Sequence, residues 1–155
     1  MSITDKLNPV EFSDGSNQDL TTILKGEISA KEAYDQVMSQ VDDSPEIERL
    51  KSMKKDHEEA VEFWKKQSRV KGNVPTSSSS IWGTIVKSFV GTSKILGDEK
   101  ALEALKRGEE HGLSIYKDML KSDLISDLQK VEITNRFIPN QKKHIESVNA
   151  LIKLQ

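Results

Sequence analysis

Apolar residues return every three or four positions along most of this chain, and almost nowhere do they alternate with polar ones. That period belongs to helices with one buried face, so the pattern predicts an all-α fold. Ala30, Ala33, Tyr34, Val37 and Val41 form the first full stripe. Ser29 and Glu32 have the spacing of a capping box ahead of it, with Ile28 and Ala33 as the flanking staple. Leu20, Ile23 and Leu24 mark a shorter helix upstream. The pattern leaves open whether Gly26 separates the two or is carried inside one helix.

Asp42-Asp43-Ser44-Pro45 reads as the start of the next helix, because a proline at the first helical position gives up an N–H that has no partner there. Its inward stripe is Ile47, Leu50, Lys54, His57, Val61 and Trp64, ending near Val70. A glycine- and serine-rich loop follows. Ile81 to Leu96 is amphipathic through Ile81, Trp82, Ile85, Val86 and Phe89, although Gly83 and Gly91 weaken it as a free helix. The expectation is that it packs across one side of the bundle. The competing reading is a helix for a partner or a membrane surface, with Lys87 and Lys94 facing headgroups.

The third helix is expected from a cap at Asp98 to about Lys121, with Leu102, Leu105, Glu109, Leu113, Tyr116 and Leu120 inward. The last is expected from Ile125 to Leu154, kinked at Pro139, with Leu128, Val131, Phe137, Gln141, His144, Val148 and Leu151 inward. Tight connections near 42–44 and 122–124 imply antiparallel neighbours. The predicted architecture is therefore an antiparallel four-helix bundle, with a long connection carrying an extra amphipathic helix between the second and third. Residues 1–17, polar with Pro9 and Gly15, read as a flexible tail, which leaves 18–155 as the bundle domain.

Composition narrows the function classes. A chain of 155 residues suits one domain with a single core. Lysines and arginines are interleaved with acidic residues and the net charge is −2, so no basic face offers itself to nucleic acid. The absence of cysteine removes disulfides, thiolate metal sites and cysteine nucleophiles. No run approaches the roughly 20 apolar residues of a membrane span, and the first residues show no leader pattern, so a cytoplasmic location is expected.

The candidate chemistry lies in the polar residues that interrupt the stripes. His57 and His144 stand where leucines are expected, and Glu109 does the same on the third helix. Burying such groups is costly unless they are paired. One reading is a buried polar network, with Tyr34, Tyr116 and Lys54 as partners. The other is a metal site, since imidazole and carboxylate suit zinc, iron or manganese. The candidate ligands are Glu27, His57, Glu109 and His144, with Glu27 included if the first helix is continuous. At ~1.5 Å per residue, counting from the second tight connection puts His144 on the order of 10 Å further along the bundle than Glu109, unless the Pro139 kink or a longer loop brings it back. That offset counts against one compact four-ligand site. His111 falls opposite the stripe and reads as a surface residue. No Ser-His-Asp set or phosphate loop is present, and no catalytic residue is assigned.

GEISAKEAY, DHEEAV, GEEHGLSIY and PNQKKHIESV together resemble an uncharacterised bacterial family of ferritin-like four-helix bundles, a domain of unknown function. The resemblance runs from about Leu20 to the C-terminus. It implies a ferritin-like bundle and carries no established activity. Ferritin-like di-metal sites take a Glu from each of two helices and a Glu-x-x-His from each of the other two. His57 and His144 match those histidines, but Lys54 and Gln141 stand where the bridging carboxylates belong. A di-iron oxidase is therefore not expected. The reading is therefore a non-catalytic binding or stress-associated protein without a cofactor, the stress association being drawn from the resemblance to ferritin-like proteins alone. The alternative is a single-metal or degenerate di-metal protein holding Fe, Zn or Mn, with a possible redox role. Such bundles pair through a remaining apolar stripe, so a homodimer is expected, with no nucleic-acid partner and little membrane-surface contact.

Overall fold

The structure is a computed structural model that describes residues 9–39, 45–70 and 98–155. Its elements are α1 (Pro9–Met38), α2 (Pro45–Val70), α3 (Asp98–Leu120), α4 (Asp127–Glu132), a π-helical turn (Ile133–Phe137) and α5 (Ile138–Lys153). Among the described residues every element is helical and there is no strand. The short helix α4, the turn and α5 follow one another directly, so four rods enclose the core. The segment 81–96 and the expected cap at 42–44 lie outside the described residues.

The first rod answers the question left open at Gly26. One helix runs through it, and it begins at Pro9, inside the stretch read as a tail. A glycine in a helix interior costs about 1 kcal/mol. Fully burying one large apolar side chain returns about 1.5–3 kcal/mol, and Leu20, Ile23, Leu24, Tyr34 and Val37 are all buried along this helix. Burial therefore wins over the break. Ser29 accordingly does not stand at a helix start and is buried in mid-helix.

In α2 the expected stripe is buried at Leu50, His57, Val61 and Trp64, joined by Met53 and Ala60. Lys54 departs from it. Its ammonium bonds Asp35 at 2.7 Å and lies 3.8 Å from Glu58, at the rim between α1 and α2 rather than beside Glu109. A long flexible stem lets the charge leave the core while the methylenes stay against it. In α3, Leu102, Leu105, Glu109 and Tyr116 are buried, whereas Leu113 and Leu120 are only partly so.

The fourth rod differs most from expectation. Ser126 starts it with a capping box: the Gln129 N–H donates to Ser126 Oγ at 3.2 Å and the Ser126 N–H to Gln129 Oε1 at 2.9 Å. Ahead of Pro139 the helical ladder changes register, and the Ile138 N–H donates to the Ile133 carbonyl, five residues back. A proline has no N–H for the carbonyl four residues before it, and a π turn at that place takes up the irregularity. The inward face then reads Gln129, Ile133, Phe137, Gln141, His144, Val148 and Leu151. Leu128 and Val131, expected inside, are 61% and 51% exposed.

Two apolar clusters fill the interior. One gathers Tyr34, Val37, Leu50, Met53, Leu102, Leu105, Val148 and Leu151. The other gathers Leu20, Ile23, Leu24, Val61, Trp64, Tyr116, Ile133 and Phe137. Along each rod the stretch between the two clusters carries the buried polar residues: Glu27, His57, Glu109, Gln141 and His144. No described helix is long and apolar enough to cross a membrane.

Candidate metal centre

One residue from each rod meets in this polar layer. His57 from α2 is the hub. Its Nδ1 lies 2.5 Å from Glu27 Oε1 of α1, and its Nε2 lies 2.8 Å from Glu109 Oε2 of α3. His144 of α5 approaches from the other side, with Nδ1 3.3 Å from Glu109 Oε2 but out of line for a hydrogen bond. The two imidazole centroids are 4.9 Å apart. The continuous α1 is what brings Glu27 into this layer, since a break at Gly26 would have released its face.

Two tyrosines close the layer above and below. The Tyr34 hydroxyl donates to Glu109 Oε2, and the Tyr116 hydroxyl donates to Glu27 Oε2. Trp64 Nε1 donates to the Tyr116 oxygen at 3.0 Å. Tyr116 also stacks on Phe137 at 5.4 Å and 10°, and Trp64 lies 5.6 Å from the same ring. The apolar cluster thus positions the phenol that positions Glu27. Gln141 Nε2 donates to the backbone carbonyl of Glu109 at 3.0 Å, and tethers α5 to α3 at the same level.

The outer nitrogen of His144 is held as well. Nε2 lies 2.8 Å from Asp56 Oδ2 on α2. Each imidazole therefore turns one nitrogen toward Glu109 and the other toward a second carboxylate, Glu27 for His57 and Asp56 for His144. A carboxylate on the outer nitrogen fixes the ring's orientation and raises the basicity of the inner one, as in many metal-ligating histidines.

Electrostatics follow from this pairing. Burial alone pulls the His57 imidazolium down, but the Glu109 and Glu27 carboxylates outweigh it and hold its pKa well above the ordinary value. His144 is raised in the same way, burial opposing and Asp56 and Glu109 prevailing. Burial pushes Glu109 up, and His57 and His144 together bring it well below the usual carboxylate range. The hydrogen bond from His144 lowers Asp56. Tyr34 and Tyr116 are pushed well above the ordinary phenol value by burial and then by Glu109 and Glu27 respectively, so both stay protonated donors.

Two atoms in this layer lack the partner their burial calls for. Among the described residues, His144 Nδ1 and Glu109 Oε1 are buried without a hydrogen bond. Such atoms are rare in folded proteins; His144 Nδ1 keeps an ion-pair contact with Glu109 Oε2 at 3.3 Å, so the full cost of about 1–3 kcal/mol falls on Glu109 Oε1 alone. His57, Glu109 and His144 each offer a ligand atom, and these atoms all lie within 4.8 Å of one another. A cation at about 2.0–2.2 Å from nitrogen and oxygen donors spans up to about 4 Å between them, so closure by under an ångström joins all three.

All four sequence-derived candidates thus lie in one layer, and the expected offset of His144 does not arise. Tyr116 faces Phe137, Gly112 faces Gln141 and Glu109 faces His144, one level per turn of α3. Residues 121–126 are not helical, so the connection is longer than a tight turn. The longer connection and the irregular turn ahead of Pro139 are the two features that the sequence reading names as able to bring His144 back. Asp56 was missed outright. It sits one residue from His57, off the stripe by about 100° of helix, and only its cross-bundle partner gives it a role.

The family model described as "Domain of unknown function (DUF2383)" matches residues 16–122. Glu27, Tyr34, Asp56, His57, Glu109 and Tyr116 lie inside that span, whereas Gln141 and His144 lie beyond it. No curated protein and no solved structure matches the chain. The match covers more than half of the 155 residues, and the chain belongs to this family of unknown function.

Proposed function

We propose that this protein binds a single divalent transition-metal ion inside its helical core, on His57, Glu109 and His144, with Glu27 and Asp56 orienting the two imidazoles. The observation that carries the reading is the pair of orphaned buried atoms, His144 Nδ1 and Glu109 Oε1, beside a third donor, His57 Nε2. Two imidazoles and one carboxylate are a set that zinc, iron and manganese accept, and three protein ligands leave positions for an exogenous one. When bound, such an ion supplies Lewis acidity, or redox chemistry if it is iron or manganese.

The chain's own groups make the exchange favourable. In the metal-free protein the carboxylates around both rings favour the imidazolium, which puts a proton on each inner nitrogen at pH below their raised pKa values. A dication displaces those two protons and leaves the buried charge as it was. Tyr34 continues to donate to Glu109, and Gln141 holds the backbone of that residue in place. The ferritin-like antiparallel arrangement belongs to the same proposal. It is supported by the contacts, since Glu27 meets His57 while Tyr34 meets Met53, and Gly112 meets Gln141 while Glu109 meets His144.

A second reading rests on His57 itself. Both its nitrogens are already bonded, so the layer also works as a proton-filled structural network. Titration of metal-free protein with cobalt(II) or zinc(II), followed by absorption and calorimetry, separates the two. The metal reading expects one ion per chain and release of up to two protons, the number falling as pH rises. It also expects affinity reduced at least a hundredfold in Glu109→Gln and His144→Ala. Absence of binding by the unaltered chain leaves the structural network as its role.

A further inference from the structure

We infer that the cavity between α1 and α3 is a pocket for a neutral diatomic gas, of the dioxygen or nitric oxide class, held against the candidate metal centre. Delivery to the centre rests on the metal-binding reading; occupancy of the pocket does not. The cavity is small, about 10 Å³, with room for one molecule the size of a water. Its walls are apolar, with Ile23 and Ala30 from α1 and Ile115 from α3. Its floor is Glu27 and His57. Both oxygens of Glu27 are bonded, one to His57 and one to Tyr116, and both nitrogens of His57 are bonded, to Glu27 and Glu109. A water needs about two to four polar partners, and these two residues have none free. A charge in such a place would be costlier still. The guest that fits is small, uncharged and in no need of hydrogen bonds.

The glycines are the second observation. Gly26, Gly108 and Gly112 are all helix-interior and all line this cavity, each at a cost in helix propensity. Packing explains Gly112, where an added Cβ would lie 2.7 Å from Gln141 Nε2. It does not explain Gly26, where an added Cβ meets nothing within 4 Å. The missing side chain there leaves space in an apolar wall. An apolar space of this kind stays dry and takes up an apolar guest. Position then gives the pocket its use. His57 is at once part of the floor and a candidate ligand of the centre. Three protein ligands leave positions open for an exogenous one, and a neutral diatomic is a ligand that iron(II) accepts there.

Paramagnetic relaxation by dissolved dioxygen, read by methyl NMR on the metal-free full chain, tests the pocket. The oxygen-induced relaxation of the Ala30 and Ile23 methyls should exceed that of Ala33 and Ile133 at least threefold. Those two are similarly buried and do not line the cavity. Gly26→Leu places a side chain in the open space and should abolish the excess. Gly26→Ala fills less of it, should reduce the excess in part, and serves as the folded reference. Equal relaxation of the paired methyls in the unaltered chain overturns the pocket, whatever the centre binds. Delivery is tested by stopped-flow absorption of nitric oxide binding to the iron(II)-loaded chain. Association should be at least tenfold slower in Gly26→Leu at unchanged iron content, and equal rates overturn delivery. Failure of the unaltered chain to bind iron(II), with the dioxygen excess intact, removes the metal reading and leaves the pocket standing.

Discussion

Glu109 accepts from Tyr34 and His57 on one carboxylate oxygen, while its other oxygen is buried without a partner. The charge of this one residue couples the protonation of both histidines to folding. The histidines are raised in the folded state, so their contribution is fully present below the ordinary histidine pKa of about 6.5 and fades as pH climbs toward their folded values. Glu109 and Asp56 are lowered, so theirs is fully present above the ordinary carboxylate range near 4 and fades as pH falls toward their folded values. Urea unfolding of metal-free protein across pH should therefore show a plateau between about 4.5 and 6.5, with declining limbs on both sides. The alkaline limb should flatten in His57→Leu; an unaltered limb in that variant would show that the histidine pair does not control it. Metal affinity should run the other way and rise with pH, since the protons must leave.

At the scale of elements, two substitutions separate stripe from structure. A Cβ at Gly26 meets nothing within 4 Å, so Gly26→Ala should stabilise the fold by about 0.5–1 kcal/mol through α1 propensity alone. Leu128 reads as core in the sequence yet is 61% exposed, so Leu128→Lys should shift stability by no more than about 0.5 kcal/mol. Chemical denaturation measures both, and a loss of several kcal/mol at Leu128 would mean that this face is covered. The reason periodicity misled here is specific. Ser126 caps α4 with Gln129 as its reciprocal partner, and Gln129 then bonds Gln67 of α2 at 2.9 Å. A capping glutamine thus takes the inward place that hydropathy assigns to leucine. The π turn then resets the phase for Gln141 and His144.

For the whole molecule, the polar layer divides the interior into two apolar clusters, and each rod contributes to both. A cation in that layer ties the rods together and binds the folded chain alone. At a free concentration of 100 Kd it should add about 2.7 kcal/mol, which raises Tm by about 5–10 °C for a domain of this size. Scanning calorimetry with zinc(II) or cobalt(II) checks this, and the rise should vanish in His144→Ala. A rise of the same size in that variant would place the bound ion elsewhere on the surface.

Several features were legible in the sequence alone. Period-3.6 stripes specify helices because burial of one face is what stabilises them. Pro45 marked the start of α2, and interruption of the stripes by His57, Glu109 and His144 marked the residues that had to find partners inside. What the stripes do not carry is relative height, because rise through a non-helical connection and a π turn has no signature in hydrophobic period. Only the packed rods decided that Glu109 and His144 share a level, that Lys54 leaves it for Asp35, and that Asp56 holds the outer nitrogen of His144. Those are contacts between residues distant in the chain. They depend on how four rods settle against two apolar clusters, and no local pattern encodes that settlement.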